Sequence, residues 1–296
     1  MASQPGSVRF VLVSESEYQE ASRQQWSEAA TSWARAAEEE ESGASGDATP
    51  WMLEAAKLQP GQRVLELACG AGRVGLQAAS RVGPDGTVLC SDFSQAMADA
   101  VAERVERIGV PNVSTQVLDA QQLELPDDDF DRVLCRFGYM LMADPLQALR
   151  ESARVLRPDG RLVLAVWGTA EENPWLSLII DALIDHLNAP RPEPGTPGPF
   201  SLGDADRLRT LIEEAELVDV ELERIATEQT YDSLDGWWEE ILEVSGPLAA
   251  MLKALPDEDR ESIHAKVAAA GERFVSDDGR AVFPASIVGA KARKRS

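Results

Sequence analysis

The residues best suited to chemistry in this chain are a glycine-rich turn and the acid beside it. Gly70, Gly72 and Gly75 occupy the glycine positions of a G-x-G-x-x-G pattern, directly after the apolar run "RVLELA". Glycines in such a turn let the backbone approach a ligand without an intervening side chain. Glu66 precedes the turn, so a carboxylate stands next to whatever the turn binds.

Two classes of cofactor use a turn of this kind, and the acids discriminate between them. A dinucleotide places its pyrophosphate on the helix after the turn, where Glu66 would repel it. S-adenosylmethionine has no phosphate, and Glu66 would offset its ammonium and sulfonium charges. Asp92 and Asp119 end the next two apolar runs, where carboxylates can accept hydrogen bonds from the ribose hydroxyls and the adenine amine. Three acids at successive strand ends therefore favour the cationic adenosyl cofactor.

The segments around these residues alternate between short apolar runs and helical patterns. Strands are predicted at 63–68, 87–92, 113–118, 130–137 and 161–167, with helices at 71–82, 94–108 and 144–156. This alternation is typical of βαβ units, which build a parallel sheet with helices on both faces. Ligands of such sheets bind at the C-terminal ends of the strands, where the turn and the acids lie. The pattern predicts an α/β, Rossmann-like fold.

Four segments resemble the successive motifs of the class I S-adenosylmethionine-dependent methyltransferases, most of all the branch of the ubiquinone and menaquinone C-methyltransferases. They are "VLELACGAG", "VLCSDFSQAM", "VLDAQQLELPDDDFDRVLCRFGYM" and "ALRESARVLRPDGRLVLAVW", within about residues 60–168. The resemblance implies a seven-stranded, mostly parallel sheet with an antiparallel last strand, and S-adenosylhomocysteine as the product. It also implies that, besides Glu66, the cofactor site includes Ala68, Gly70, Gly72, Asp92, Phe93, Met97, Asp119, Ala120, Arg136 and Phe137.

The sequence departs from the resembled pattern at three places. Ala68 stands where the family usually has a glycine, and Phe137 follows Arg136 where the quinone enzymes carry an Arg-Asn pair. About 50 additional residues separate a strand predicted at 217–226 from the last apolar run, 281–290. The last two departures argue against a quinone acceptor. Two other functions stay open: an NAD(P)-dependent oxidoreductase, and a non-catalytic protein that binds S-adenosylmethionine.

Three parts of the chain are predicted. Residues 1–60 form an N-terminal helical cap, 61–168 the cofactor-binding core, and 169–296 the substrate-covering helices with the last two strands. Trp26 and Trp33 are seven residues apart and thus lie on one face of a helix. We expect the cap, with Trp33 against the cofactor, and the segment 169–203 to close over the site, because inserts at strand ends commonly gate such sites.

Methyl transfer from a sulfonium is a direct displacement that needs alignment and exclusion of water. If the acceptor must also lose a proton, the candidates for the base are His186, which ends a helix after the fifth strand, and Tyr139, which follows the fourth. The other histidine, His264, is predicted on the surface of a charged helix. Aromatic and sulfur-containing side chains concentrate near the same strand ends, which predicts a small apolar or aromatic acceptor, methylated on oxygen, nitrogen or carbon.

Composition narrows the choice of partners. The 296 residues include 51 acidic and 28 basic side chains, a formal net charge of −23 that repels nucleic acid and anionic membranes. Three separate cysteines favour reduced thiols over a disulfide framework or a metal site, and hence a cytoplasmic protein. The start, "MASQPGSVRFVLVSESE", is not expected to be a signal peptide, nor any segment a membrane span. The basic end "KARKRS" is predicted to be a solvated tail, and the protein a monomer or homodimer.

Overall fold

A seven-stranded mixed sheet forms the centre of the molecule, as the computed structural model shows for residues 15–39 and 44–296. The start of the chain, with its predicted lack of a signal peptide, therefore lies largely outside the described residues. The strands are β1 (Arg63–Leu67), β2 (Thr87–Asp92), β3 (Val113–Val117), β4 (Phe130–Arg136), β5 (Leu156–Trp167), β6 (Leu217–Tyr231) and β7 (Ala281–Lys294). The helices are α1 (Glu15–Glu39), α2 (Ala44–Ala55), α3 (Arg73–Val82), α4 (Gln95–Ile108), α5 (Pro145–Val155), α6 (Pro174–Leu187), α7 (Ala205–Glu214), α8 (Leu234–Val244), α9 (Gly246–Lys253) and α10 (Asp257–Gly271).

The strand order, β3-β2-β1-β4-β5-β7-β6, brings the predicted site residues together at the C-terminal ends of four neighbouring parallel strands, β1 to β4. β1 pairs in parallel with both β2 and β4, while β7 runs antiparallel to β5 and β6. This confirms the predicted Rossmann-like sheet with one antiparallel strand. After β1 the chain turns first to β2 and β3 and then returns to β4 on the other side. A crevice for ligands opens at such a reversal, outside the C-terminal ends of β1 and β4.

The last two strands are longer than the sequence indicated. β6 continues to Tyr231 instead of residue 226, and β7 continues to Lys294 instead of residue 290. The prediction of a solvated basic tail was wrong for most of that segment. Lys294 Nζ lies 2.6 Å from Asp128 Oδ1, and Arg293 forms ion pairs with Asp159 and Asp219. These acids lie far away in the sequence, so local composition could not show that they neutralise the tail.

Helices from both ends of the chain lie near the C-terminal ends of the parallel strands. α1 contacts the start of α4 and the junction of α8 with α9, while α10 packs against α6 and α8. Trp237 on α8 is completely buried and packs on Phe283 of β7, with ring centroids 4.4 Å apart. Within residues 15–39 and 44–296, no helix combines the length and the apolar character that a membrane span requires.

Candidate functional site

The turn after β1 has an unusual backbone conformation. Ala68, Gly70 and Gly72 all have positive φ, at 48°, 51° and 73°. A Cβ on Gly72 would also lie 2.8 Å from Val101 Cγ1 of α4, so a larger residue is excluded twice. Ala68 has no such freedom, and the left-handed conformation costs a non-glycine residue about 1–2 kcal/mol. The chain therefore retains backbone strain at the turn, which is common at ligand-binding sites.

Glu66 lies behind this turn and is 2% exposed. Its Oε2 accepts hydrogen bonds from the Gly75 amide, at 2.8 Å, and from the Cys90 thiol, at 3.4 Å. A Cβ on Gly75 would come within 2.4 Å of the same oxygen, which explains the third glycine of the motif without a pyrophosphate. Burial raises the pKa of Glu66 to about 7, although these hydrogen bonds and Arg136 oppose the shift. A direct contact of Glu66 with the cofactor stays a prediction.

Asp92 joins the glycine turn to the start of α4. Its Oδ2 accepts from the Gly70 amide and its Oδ1 from the Ser94 amide, each at 3.0 Å. Burial raises the pKa of this carboxyl to about 6, against the effect of these amides. A carboxylate oxygen has room for a second donor. The side chain can therefore support the turn and still accept a ribose hydroxyl.

The remaining residues predicted on the adenosine side follow β2 and β3 or lie at the start of α4. Asp119 follows β3, is half-buried, and accepts from the Gln121 amide at 2.9 Å, while Ala120 is 8% exposed. Phe93 is half-buried with the guanidinium carbon of Arg23 on α1 at 5.8 Å from its ring centroid. Met97 is 3% exposed and belongs to the packing of α4. Their contact with a cofactor stays a prediction.

The end of β4 supplies the other side of the crevice. Phe137 has φ 59° and donates its amide to Ala165 O at 2.7 Å. Its ring stacks on Trp167 with centroids 4.2 Å apart and planes 11° from parallel. The half-buried Arg136 reaches Thr49 Oγ1 at 3.4 Å, and its charge lowers the pKa of Glu66. Gly138 lies so close to Ala68 that an added Cβ would be 2.6 Å from the alanine methyl group.

The two residues predicted as bases have other partners. Tyr139 is 1% exposed, and its hydroxyl lies 2.6 Å from Ser152 Oγ, which itself donates to Ala148 O. Burial raises the pKa of Tyr139 well above its ordinary value, which opposes a role as a proton acceptor. His186 Nε2 lies 3.1 Å from Asp259 Oδ1, at the packing of α6 on α10. His264 Nε2 lies 3.2 Å from Asp235 Oδ1.

α1 makes polar contacts beside the C-terminal ends of β2 and β4 that the sequence did not indicate. Ser27 Oγ lies 2.8 Å from Ser94 Oγ, directly after Asp92 and Phe93. Tyr18 donates its hydroxyl to Leu141 O at 3.0 Å. Trp33 donates its indole N–H to Val244 O at 2.8 Å, which directs that edge of the ring to the helices after β6. No sequence pattern identifies Tyr18 or Ser27, because their partners are far away along the chain.

The loop between α6 and α7 reaches the same region. The Gly198 amide and the Ser201 hydroxyl both donate to Met140 O, at 2.9 Å and 2.7 Å. Met140 and Leu141 belong to a short 3₁₀ turn, Tyr139–Leu141, that follows β4. The helix before the core and the loop after it thus bind neighbouring carbonyls of one turn.

Because α1 and the loop between α6 and α7 both contact groups that follow the parallel strands, S-adenosylhomocysteine is expected to protect the two segments from proteolysis. Cleavage by trypsin after Arg23 and Arg35 in α1, and by chymotrypsin after Phe200 in the loop, should slow when the ligand is bound. Lys57 is exposed just before β1, at the opposite edge of the sheet, and serves as the control site. Equal cleavage with and without ligand throughout 20–50 and 169–203 would contradict the prediction of a cover.

Comparisons with known proteins agree with this geometry. A family model described as a methyltransferase domain matches residues 64–160. The ubiquinone/menaquinone biosynthesis C-methyltransferase UbiE of Proteus mirabilis is 35% identical over 164 residues, covering 55% of this chain and 62% of that protein. The protein of the same name from Ectopseudomonas mendocina is 32% identical over 196 residues, covering 62% of this chain and 72% of the relative. The chain belongs to the class I S-adenosylmethionine-dependent methyltransferases.

The first relatives match only part of this chain and part of their own length. A demethylmenaquinone methyltransferase of Listeria welshimeri is 37% identical over 115 residues, which cover 38% of this chain and 49% of that protein. The chain thus spans less than two thirds of the length of these first relatives from Proteus and Listeria. Residues beyond about 160, which include the covering loop and α8 to α10, lie outside the matched domain. Which acceptor this chain binds therefore depends on its own side chains in these segments, and family membership does not determine it.

Solved structures share the fold. The YcgJ protein of Bacillus subtilis superposes with a TM-score of 0.58 at 23% identity, covering 84% of this chain and 99% of that one. The [4+2]-cyclase SpnF superposes with a TM-score of 0.52 at 22% identity, covering 83% of this chain and 79% of that one. At such identities the comparison shows the fold alone. Since a protein described as a cyclase has this fold too, the fold alone does not determine the reaction.

Proposed function

We propose that the protein transfers a methyl group from S-adenosylmethionine to a small apolar or aromatic acceptor. The observation that supports this is the arrangement of acids around the left-handed turn. Asp92 accepts from the Gly70 amide in the turn, Glu66 accepts from the Gly75 amide at the start of α3, and Asp119 follows the end of β3. Negative charge at this turn suits a cationic adenosyl cofactor and opposes a pyrophosphate. An NAD(P)-dependent reaction is therefore disfavoured by the same residues.

Each part of the site has a defined task in this proposal. When bound, the cofactor supplies an electrophilic methyl group on a positively charged sulfur. Asp92 and Asp119 hold the ribose and the adenine, and the amides of the glycine turn face the methionine portion. Phe137, at the end of β4, borders the space from which an acceptor approaches. α1 and the loop that contains Ser201 exclude water, which favours displacement between aligned partners.

Binding of the cofactor product is the first test. By isothermal titration calorimetry, the protein should bind S-adenosylhomocysteine with a dissociation constant in the micromolar range, which corresponds to a binding free energy of about −8 kcal/mol. Absence of both heat and a thermal shift would reject the proposal. A screen with labelled methyl donor across phenols, quinones, amines and acids then tests turnover. Binding without transfer to any of these acceptors would favour the non-catalytic alternative.

The screen includes quinones because of the relatives' names, although this chain has Phe137 where the quinone enzymes it resembles carry an asparagine. The sequence left oxygen, nitrogen and carbon acceptors open, and the screen covers all three. An acceptor that is already ionised, or a nucleophilic carbon, needs less help from a base. The geometry of the two predicted bases makes such an acceptor the more consistent choice.

Neither predicted base is expected to be essential. His186→Ala and Tyr139→Phe should each reduce kcat at saturating cofactor by less than tenfold, because Asp259 holds the histidine and Ser152 holds the phenol. His264→Ala is the matched control, since it removes the other histidine–aspartate pair. A positioned base contributes about 10²–10⁴ in rate. A loss of two decades in one variant, with unchanged cofactor affinity, would identify that residue as the base.

A further inference from the structure

Three aromatic side chains, Phe137, Trp167 and Trp175, form a continuous wall on one side of the crevice. Phe137 stacks on Trp167 at 4.2 Å, and Trp167 meets Trp175 edge to face at 5.1 Å. Phe137 follows β4, Trp167 ends β5, and Trp175 lies in the first turn of α6. The wall thus extends outward from the strand next to the glycine turn.

The position of this aromatic wall relates it to the acceptor. Asp92 ends β2 and Asp119 follows β3, so the two acids proposed to hold adenosine lie on one side of β1. The wall is on the other side, at β4 and β5, so the transferable methyl group would lie between the two. An acceptor must then approach from the β4–β5 side, along the wall. Phe137 is half-buried, whereas Trp167 and Trp175 are 6% and 8% exposed, so Phe137 presents the accessible ring.

The backbone of Phe137 is strained in order to hold its ring in this place. A bulky residue at φ 59° is uncommon, and such strain persists where the surroundings enforce it. The hydrogen bond from its amide to Ala165 O and the stack on Trp167 supply that constraint. The guanidinium carbon of Arg136 lies 5.7 Å from the ring centroid, so a cation flanks the wall. Ring and cation together favour an electron-rich, flat partner.

Asn173 fixes the far end of the wall. It is completely buried and uses its whole amide: Nδ2 donates to Thr169 O at 3.0 Å and to Ser286 O at 3.1 Å. Its Oδ1 accepts from the Ser286 amide at 3.1 Å and from the Trp175 indole N–H at 3.2 Å. The indole of Trp175 is therefore held in one orientation, and it holds Trp167 in turn.

We propose that Phe137 selects a planar, conjugated acceptor over an aliphatic one, and that Asn173 acts as a positioning residue by fixing Trp175 behind it. This inference rests on the proposed function and deepens it, since a small apolar acceptor need not be flat. A flat ring can stack on Phe137, whereas a puckered ring of the same carbon skeleton contacts it at fewer points. Stacking beyond burial of area is worth about threefold to tenfold in affinity.

Two probes with one carbon skeleton test the selection: 1-naphthol, which is planar, and decahydro-1-naphthol, which is not. Calorimetry on protein saturated with S-adenosylhomocysteine should show 1-naphthol binding about threefold to tenfold more tightly. Phe137→Leu keeps an apolar side chain and should reduce this ratio to below about twofold. Phe274→Leu removes a half-buried ring that packs on Phe283, and should leave the ratio unchanged.

Trp175→Phe tests positioning, because it keeps a ring and removes the N–H that donates to Asn173. The ratio should fall while the affinity for S-adenosylhomocysteine stays within about twofold. Equal binding of both probes by the unchanged protein, no binding of either, or a ratio that survives Phe137→Leu would overturn the inference. A tenfold loss of S-adenosylhomocysteine affinity in Phe137→Leu would also overturn it and assign Phe137 to the cofactor. Failure of the unchanged protein to bind S-adenosylhomocysteine would instead reject the proposed function. The ratio of the two probe affinities is then measured in the absence of S-adenosylhomocysteine.

Discussion

Replacing Asp92 by alanine is expected to weaken binding of S-adenosylhomocysteine by about 10- to 100-fold, the value of a lost hydrogen bond to a charged group. The side chain lies at the end of β2 and already accepts from the amides of Gly70 and Ser94. Its removal therefore takes away the proposed ribose acceptor and also frees the glycine turn. Isothermal titration calorimetry measures the loss directly. An unchanged affinity would place the ribose elsewhere.

Two further variants separate charge from position. Asp99→Ala removes an exposed acid one turn into α4, and should leave the affinity within about twofold, because surface acids contribute little. Asp92→Asn keeps the shape of the side chain. It places the amide N–H₂ against one of the two backbone N–H groups that donate hydrogen bonds to the carboxylate. We therefore expect Asp92→Asn to bind as weakly as Asp92→Ala. Full affinity in Asp92→Asn would show that the negative charge has no role.

The positions of the acids could be predicted from sequence because parallel strands share one C-terminal edge. Once 63–68, 87–92 and 113–118 are strands in one sheet, the residues that end them must be neighbours. The direction of each side chain does not follow in the same way. Glu66 turns into the protein because Gly75 leaves space for its carboxylate beside the start of α3. That space depends on how closely α3 packs on β1 and β2, which spacing alone does not indicate.

Contacts between distant segments account for most of what the sequence did not predict. Tyr18 and Leu141 are 123 residues apart, and Trp33 and Val244 are 211 residues apart. A helical pattern near the start of the chain gives no information about such partners. Tyr139 was a candidate base because it follows β4, but its hydroxyl turns to Ser152 on α5. A position just after a strand end thus predicts that a residue lies near the ligand-binding end of the sheet. It does not predict whether the side chain points toward the ligand.

The affinity for S-adenosylmethionine is expected to rise about tenfold or more between pH 5.5 and pH 7.5. Burial raises the pKa of Glu66 to about 7 and that of Asp92 to about 6, so both carboxyl groups are largely protonated at the lower pH. The sulfonium and the ammonium of the bound cofactor favour the ionised carboxylates, so binding releases protons. At the higher pH the carboxyl groups are already ionised, and binding does not have to displace those protons. S-adenosylhomocysteine lacks the sulfonium charge and should show a weaker dependence.

The stability of the ligand-free protein should fall as pH rises, whereas the affinity for S-adenosylmethionine rises. A carboxyl group with a raised pKa binds its proton more tightly in the folded than in the unfolded chain. The free energy of unfolding therefore falls as pH rises from about 4 to about 7, by about 3 kcal/mol for each group at most. Urea denaturation at pH 5 and pH 7.5 measures this fall.

Glu66→Gln removes the group with the higher pKa while keeping an acceptor for the Gly75 amide, so it separates the contribution of Glu66 from that of Asp92. Calorimetry in buffers of different ionisation enthalpy should show fewer protons released on binding of S-adenosylmethionine, and the rise in affinity should centre near pH 6 instead of between 6 and 7. Glu103→Gln, at an exposed position on α4, is the control and should reproduce the unchanged protein. An affinity that is flat or falling with pH in the unchanged protein would mean that neither buried carboxylate senses the cofactor's charge. The proposed reason for a cationic ligand at this turn would then be lost.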